Sequence, residues 1–317
     1  MVSKDIVMRL SAVTEEERFI LEKTAIDPNL YMEHGSDVIN SKKLLEQGKL
    51  ITIRPHPRFV EFPPHRHDYV EMVYMCSGET THMVDGNEVT LREGELLLLN
   101  TRAVQSIRKA GAEDIAVNFI ILLPFFDKAL QFMGEEDTPL RSFILGCFGE
   151  KDAPSGYLHF KVGDVLPIQN LVENLLYTLI DDIPNKRNVN QMTMGLLFLQ
   201  LINHADRIQT STKGEALLLQ VLRYVEEHYS TGSLSELARL LHYDLYWLSR
   251  EIKTMTGKTY TELLQEKRLS QAAYLLFTTN LNVAHIARSV GYENVSYFHR
   301  LFSERFGMSP RQYRLCK

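Results

Sequence analysis

Only three cysteines, Cys76, Cys147 and Cys316, occur in the 317 residues. They are scattered, odd in number and form no Cys-x-x-Cys pair, which argues against a disulfide framework and against a zinc or redox site of that kind. Long apolar runs are missing too: the longest, Ile115 to Phe126, is interrupted by Asn118 and Pro124 and falls well short of the roughly 20 residues that span a bilayer. The first ten residues mix Lys4, Asp5 and Arg9 among apolar ones, without the basic start, apolar block and small-residue cleavage site of a secretion signal. These absences lead to the expectation of a cytoplasmic protein that does not enter membranes. A strong overall charge is also lacking. The net charge is −5, but it is unevenly spread: Glu215 to Lys317 holds 13 Lys and Arg against 10 Asp and Glu, or +3, leaving −8 for the rest. A surplus of three is weak support for nucleic acid when taken alone.

What is present describes folded domains. Hydrophobic residues make up 44% and charged residues 24%, typical of a globular chain, and the length suits two domains. Thr14-Glu15-Glu16-Glu17 has the form of a capping box, in which hydroxyl and carboxylate satisfy each other's backbone donors, and predicts a helix through about Ala25. From Leu50 the apolar period becomes two. Tyr69 to Cys76, Glu88 to Arg92, Glu95 to Leu99 and Ile115 to Leu122 read as strands, and Asp85-Gly86 as a hairpin turn because both residues accept positive φ. Many short strands punctuated by Gly and Pro predict a β-sandwich or barrel. Beyond Pro124 the period becomes helical. Ile168 to Ile180 carries Leu171, Leu175 and Leu179, and Met192 to Ile208 carries Leu197 and Leu201; such helices can pack on the sheets, pair with a second subunit, or do both. Gln209 to Gly214 is polar and aperiodic and is expected to be a linker, dividing a domain of residues 1–208 from one of residues 215–317.

Within the strand-rich half, His65-Arg66-His67, three residues, Glu71, and six more residues before Gly78 resemble the first signature of the cupin superfamily. Equal parity on an extended chain would put His65, His67 and Glu71 on one face. Two uses are then open: ligation of a metal by these three residues, or lining of a small-molecule pocket. Gln105 stands where metal-binding cupins have a further His, and Gln is a poor ligand for such metals. The expectation is therefore a pocket lined by Arg54, His65, His67, Glu71, His82 and Gln105, with no cofactor and no catalytic residue. A metal-dependent cupin enzyme fused to a second domain is the alternative.

The last third contains one pattern twice. Ala238 to Tyr243 precedes a helix with Leu248, Ser249 and Arg250, and Ala287 to Tyr292 precedes one with Phe298, His299 and Arg300. In the first unit Ser235 is expected to cap a helix from Glu236 to Leu241, and Asp244 one from Leu245 to Met255. At 100° per residue Leu245, Leu248, Ile252 and Met255 share one sector, opposite Tyr246, Arg250 and Lys253. In the second unit Val295, Phe298, Leu301 and Phe302 are the core sector, and Ser296, Arg300 and Ser303 face outward, 50 residues after their counterparts. The preceding helices are offset by 49, so the second turn holds one extra residue. A helix from Tyr260 to Phe277 joins the units, and Gly257 and Gly307 stand where a left-handed C-cap wants glycine.

Leu248-Ser249-Arg250, Thr256-Gly257-Lys258, Lys267-Arg268-Leu269, Ile286-Ala287, Val290-Gly291-Tyr292, Tyr297-Phe298, Arg300, Phe302, Phe306 to Pro310 and Tyr313-Arg314 resemble the DNA-binding domain of the AraC/XylS family. The resemblance covers Ser235 to Arg314. It implies a transcription regulator with a cupin-like N-terminal domain that senses a small molecule and dimerises, and an all-α domain of two helix-turn-helix units that binds promoter DNA and works with RNA polymerase, most often as an activator. Tyr246, Arg250 and Lys253, then Ser296, Tyr297 and Arg300, are the implied DNA contacts. His242 departs from the family's small turn residue and Leu245 from its common Pro, which leaves the geometry of the first turn open.

Overall fold

The computed structural model describes residues 2–126, 156–181, 186–204, 207–210 and 213–315; Cys147 and Cys316 lie outside them. The chain divides into two compact units near Ala216 and Leu217.

The first unit opens with helices α1 (Lys4–Ser11) and α2 (Glu15–Lys23). The predicted capping box is formed: Thr14 Oγ1 accepts from the Glu17 amide, and the Glu17 carboxylate accepts from the Thr14 amide. A short helix α3 (Ser41–Leu44) follows strand β1 (Val38–Ile39). Next come β2 (Ile51–Pro55), β3 (Phe62–His67), β4 (Val70–Ser77), β5 (Glu79–Val84), β6 (Asn87–Arg92), β7 (Leu96–Leu99), β8 (Gln105–Ile107) and β9 (Ile115–Ile121), then β10 (Tyr157–Phe160), α4 (Leu166–Ile180), α5 (Lys186–Asn203) and β11 (Ile208–Thr210). The strands form a five-stranded sheet in the order β1-β3-β8-β5-β6 and a six-stranded sheet in the order β11-β10-β7-β4-β9-β2. One core cluster draws Val73, Leu97, Leu99 and Ala116 from the larger sheet and Val84, Val89 and Leu91 from the smaller, so the two sheets close on a shared interior as a β-barrel of jelly-roll type. Asp85 and Gly86 make the hairpin turn between β5 and β6, at φ 49° and 80°.

Strand β4 is apolar along nearly its whole length because both its faces are covered. Val73 and Met75 point into the barrel core. Tyr74, alternating with them, gives its hydroxyl to Gln169 of α4 at 2.6 Å. Helix α1 is tied to α4 by Ser3 to Glu173, Ser3 to Tyr177 and Arg9 to Asp181.

Two boundary expectations change. The helix expected over Met192 to Ile208 starts earlier and ends at Asn203, and Ile208 instead opens β11 opposite Phe160. The expected linker of residues 209–214 is in part regular structure: Gln209 and Thr210 pair with His159 and Leu158, while Lys213 and Gly214 begin the next helix. A polar stretch of this kind suits an edge strand, whose outer side faces water.

The second unit is all helical: α6 (Lys213–His228), which starts just before the dividing point, α7 (Leu234–Leu240), α8 (Leu245–Thr256), α9 (Tyr260–Thr278), α10 (Val283–Ser289), α11 (Val295–Phe306) and α12 (Pro310–Leu315). Helices α7 and α8 make one helix-turn-helix, α10 and α11 the other, and α9 joins them. The cap of α7 is Ser233 rather than the expected Ser235. Ser233 has the extended backbone of an N-cap and accepts from the Glu236 amide at 3.2 Å, whereas Ser235 is already inside the helix.

Candidate nucleic-acid interface and barrel site

The two helix-turn-helix units repeat in detail. Ser233 and Asn282 cap the first helices, accepting from Glu236 and His285 amides; Asp244 and Asn294 cap the second, accepting from Trp247 and Tyr297 amides. Each turn is closed in the same way, with Tyr243 N bonded to Ala238 O and Tyr292 N to Ala287 O, both at 2.9 Å. This five-residue span is the Schellman closure, which needs a left-handed residue just before the donor. His242 supplies it at φ 58° and Gly291 at φ 95°. Histidine tolerates that region better than most side chains, and His242 is exposed; the first turn thus reaches the same hydrogen-bonded closure without a small residue. Gly257 and Gly307 end the second helices, both at φ 70°.

On α8, Leu248 and Ile252 are fully buried, but Leu245 is 37% exposed and Met255 half-buried, so the core sector is narrower than the periodicity predicts. On α11, Phe298 and Phe302 are fully buried, with Val295 and Leu301 packed at the margin. The opposite faces are open. Tyr246 is 76% exposed, and Arg250 and Lys253 stand beside it in solvent. Ser296, Tyr297 and Arg300 are exposed on α11, and Ser303 is half-buried. Arg300 lies over the Tyr297 ring at 5.3 Å and 3.6 Å from the Glu304 carboxylate, while the Tyr297 hydroxyl accepts from Gln265 of α9 at 3.2 Å.

In the barrel, His65, His67, Glu71, His82 and Gln105 are all buried. They do not come from one extended chain: His65 and His67 end β3 in the smaller sheet, and Glu71 lies on β4 in the larger, so the chain crosses between sheets at residues 68–69. His65 sits directly across from Gln105. Glu71 accepts from Gln105 Nε2 at 3.2 Å and from Asn118 Nδ2 at 3.0 Å. Because Asn118 gives its amino group to a carboxylate, its oxygen is the partner that receives His56 Nδ1–H at 2.8 Å, and His56 Nε2 is left as a bare acceptor. His56 Nε2 and both nitrogens of His67 are buried without a hydrogen-bond partner. Burial holds these imidazoles neutral, with His65 pushed down to about 4 and His67 to about 3, and lowers His56 and His82 as well. Burial also raises Glu71, against the hydrogen bonds it accepts from Gln105 and Asn118.

A cavity of about 30 Å³ is lined by Arg54, His65, Glu71, Gln105 and Asn118 among others; His67 and His82 are packed behind it. Its size is the main departure from expectation, since it holds one or two waters rather than an effector. An open groove of about 550 Å³ lies along the first turn of α2 and shares Arg54, Pro55 and Pro57 with the cavity wall. Arg54 is held there by Glu16 at 2.8 Å and by the Tyr31 ring at 5.1 Å. Glu16, Tyr31, His56 and Asn118 were missed from sequence; only Asn118 left a signal there, as the polar break in an apolar strand. His65 Nδ1–H donates to Pro63 O at 2.8 Å, and among the described residues no three of His, Cys, Asp and Glu are arranged to hold an ion. Among the same residues no helix is long and apolar enough to cross a membrane.

Comparison with known proteins agrees with both halves. A cupin domain model matches residues 51–121 and a helix-turn-helix domain model residues 237–315. The HTH-type transcriptional activator RhaS of Mannheimia succiniciproducens is 25% identical over 270 residues, covering 84% of this chain and 94% of the relative. RhaS of Salmonella schwarzengrund is 26% identical over 280 residues, covering 87% and 96%. The C-terminal domain of AraT, a response regulator from Geobacillus stearothermophilus, is 32% identical with a TM-score of 0.32, and covers 33% of this chain and 89% of that one. With a cupin domain ahead of two AraC-type helix-turn-helix units, the chain is a DNA-binding transcription regulator and belongs to the AraC/XylS family.

Proposed function

We propose that the protein is an activator that reads two half-sites with α8 and α11 and is controlled by a small molecule taken up by its barrel. The observation that carries the reading is the repeated outward face, which puts Arg250 and Arg300 at equivalent positions on two capped helices with buried opposite faces. Arg can bond guanine bidentately and Lys can meet phosphate, so Tyr246, Arg250, Lys253, Ser296, Tyr297 and Arg300 form the DNA contact set. Half-sites one helical turn apart, about 34 Å, suit two such helices on one side of a duplex.

His56 Nε2, a bare acceptor of a residue that lines the groove, supports an effector that brings a hydrogen-bond donor, and the 30 Å³ cavity requires Arg54 and Glu16 to part so that it opens into the groove. Val189, Met192 and Leu196 are exposed along one stripe of α5, which supports a homodimer through that helix. Contact with RNA polymerase and action in the cytoplasm belong to the same reading, with residues 1–208 as sensor and residues 215–317 as reader. The test is selection from a pool of random duplexes with the full-length chain. Enrichment of two sequence blocks about one turn apart is expected; binding that follows only total phosphate and salt, with no enriched block, refutes base reading.

A further inference from the structure

We infer that Arg268, on the joining helix α9, is a positioning residue that fixes the second reading helix relative to the first and so sets the spacing of half-sites the protein accepts. The inference rests on the two-reader function above and concerns a residue with no expected DNA contact. Its Nε donates to Tyr229 O at 2.6 Å and its Nη2 to Ser230 O at 3.1 Å. These are carbonyls just past the C-terminus of α6, where a helix leaves partial negative charge that suits a guanidinium. The same guanidinium lies over the Tyr292 ring at 5.5 Å, and Tyr292 belongs to the second turn. The packing is tight. A Cβ on Gly291 would come within 2.3 Å of Ser230 O and 2.8 Å of Arg268 Cζ, so this turn requires glycine for space as well as for its φ.

One side chain therefore joins the end of α6, the joining helix and the second turn. The other side of α6 holds the first unit, where Tyr224 donates its hydroxyl to Glu236 of α7 at 2.9 Å. A second contact works alongside: Lys267 pairs with Glu226 and lies 5.9 Å from the Tyr229 ring, which itself packs on the core of the second unit. The last turns of α6 thus touch both readers, and Arg268 is the polar fork on the second side. Among the described residues no such fork reaches the first turn, and His242 is exposed. Without Arg268 the readers would be related through α9 and the Lys267 and Tyr229 contacts alone, and the ends of α9 are a left-handed glycine, Gly257, and the non-helical stretch at Thr279 to Asn282. Both are places where backbone angles can change at little cost.

The test uses the full-length chain and the two-block duplex obtained by selection, together with versions lengthened by about half a helical turn between the blocks and versions with one block randomised. The unaltered protein should lose about tenfold or more in affinity on the lengthened duplex. Arg268→Gln, which keeps a donor but not the fork, should shrink that penalty to about twofold while changing affinity for the one-block duplex by less than about twofold. Arg268→Lys should fall between, and it carries the test if the Gln variant fails to fold by circular dichroism. A spacing penalty that stays at about tenfold in the variants overturns the inference. So does an equal loss on all three duplexes, which marks Arg268 as structural only. Failure of selection to yield two blocks would instead sink the two-reader function itself.

Discussion

The two helix-turn-helix units have the same caps and turn closure but are built differently around them. The first packs aliphatic Leu248 and Ile252 and makes its left-handed residue from an exposed histidine; the second packs Phe298 and Phe302 and makes its left-handed residue from a glycine pressed against Ser230 and Arg268. Two copies of one motif can therefore share a backbone hydrogen-bond pattern while differing in which surroundings hold it. The second turn is held from outside by Ser230 and Arg268, and the turn at His242 is closed by its own helices.

This contrast can be tested at graded cost. Phe298→Ala should destabilise the second unit by about 3–5 kcal/mol, the range for emptying an aromatic site, read as a urea unfolding transition of the full chain. If Leu248→Ala costs the same in the first unit, aromatic packing adds nothing to the second. At the turns, Gly291→Ala should cost about 2–4 kcal/mol, from the left-handed backbone and the collision together. His242→Gly should change stability by less than about 1 kcal/mol, since relief of backbone strain is offset by a freer unfolded chain. Equal effects at the two turns in thermal melts would break the contrast. At the DNA surface, Arg250→Ala and Arg300→Ala should each cost about 1–3 kcal/mol of specific affinity and relax preference at one base pair. Equal loss on specific and random duplex in a salt-controlled gel shift would deny base reading by that residue. The smallest effect is at Glu304, an exposed partner 3.6 Å from Arg300. Glu304→Gln should strengthen binding by a few tenths of a kcal/mol, the size of an exposed i,i+4 pair, and weakened binding would show that the carboxylate helps Arg300 rather than competing for it.

Much of the second unit was legible because its determinants are local. The capping residue Asp244, the C-cap glycines and the 3.6-residue period all act within a turn or two of chain, and the offset of 49 against 50 residues located the extra residue in the second turn. The misplaced cap shows the limit: Ser233 and Ser235 are chemically alike, and only backbone conformation chooses between them. In the barrel, the capping box at Thr14 and the Asp85-Gly86 hairpin were likewise local and readable. The site was only half readable. His67 comes within 3.5 Å of Glu71, but from the facing sheet rather than along one strand, and His56, just past β2, and Asn118 of β9 join Glu71 from other parts of the chain.

The sequence by itself determined the repeat, the outward position of Arg250 and Arg300, the strand-rich and helical halves, and the family, because periodicity, caps and turn residues are properties of neighbouring positions. Only the tertiary structure decided that the barrel cavity is nearly filled and walled by Arg54, which Glu16 holds. It likewise decided that Arg268 reaches back 39 residues to Tyr229. Such contacts depend on how sheets close and helices cross, and the volume left between packed side chains is a property of the whole assembly rather than of any stretch of chain.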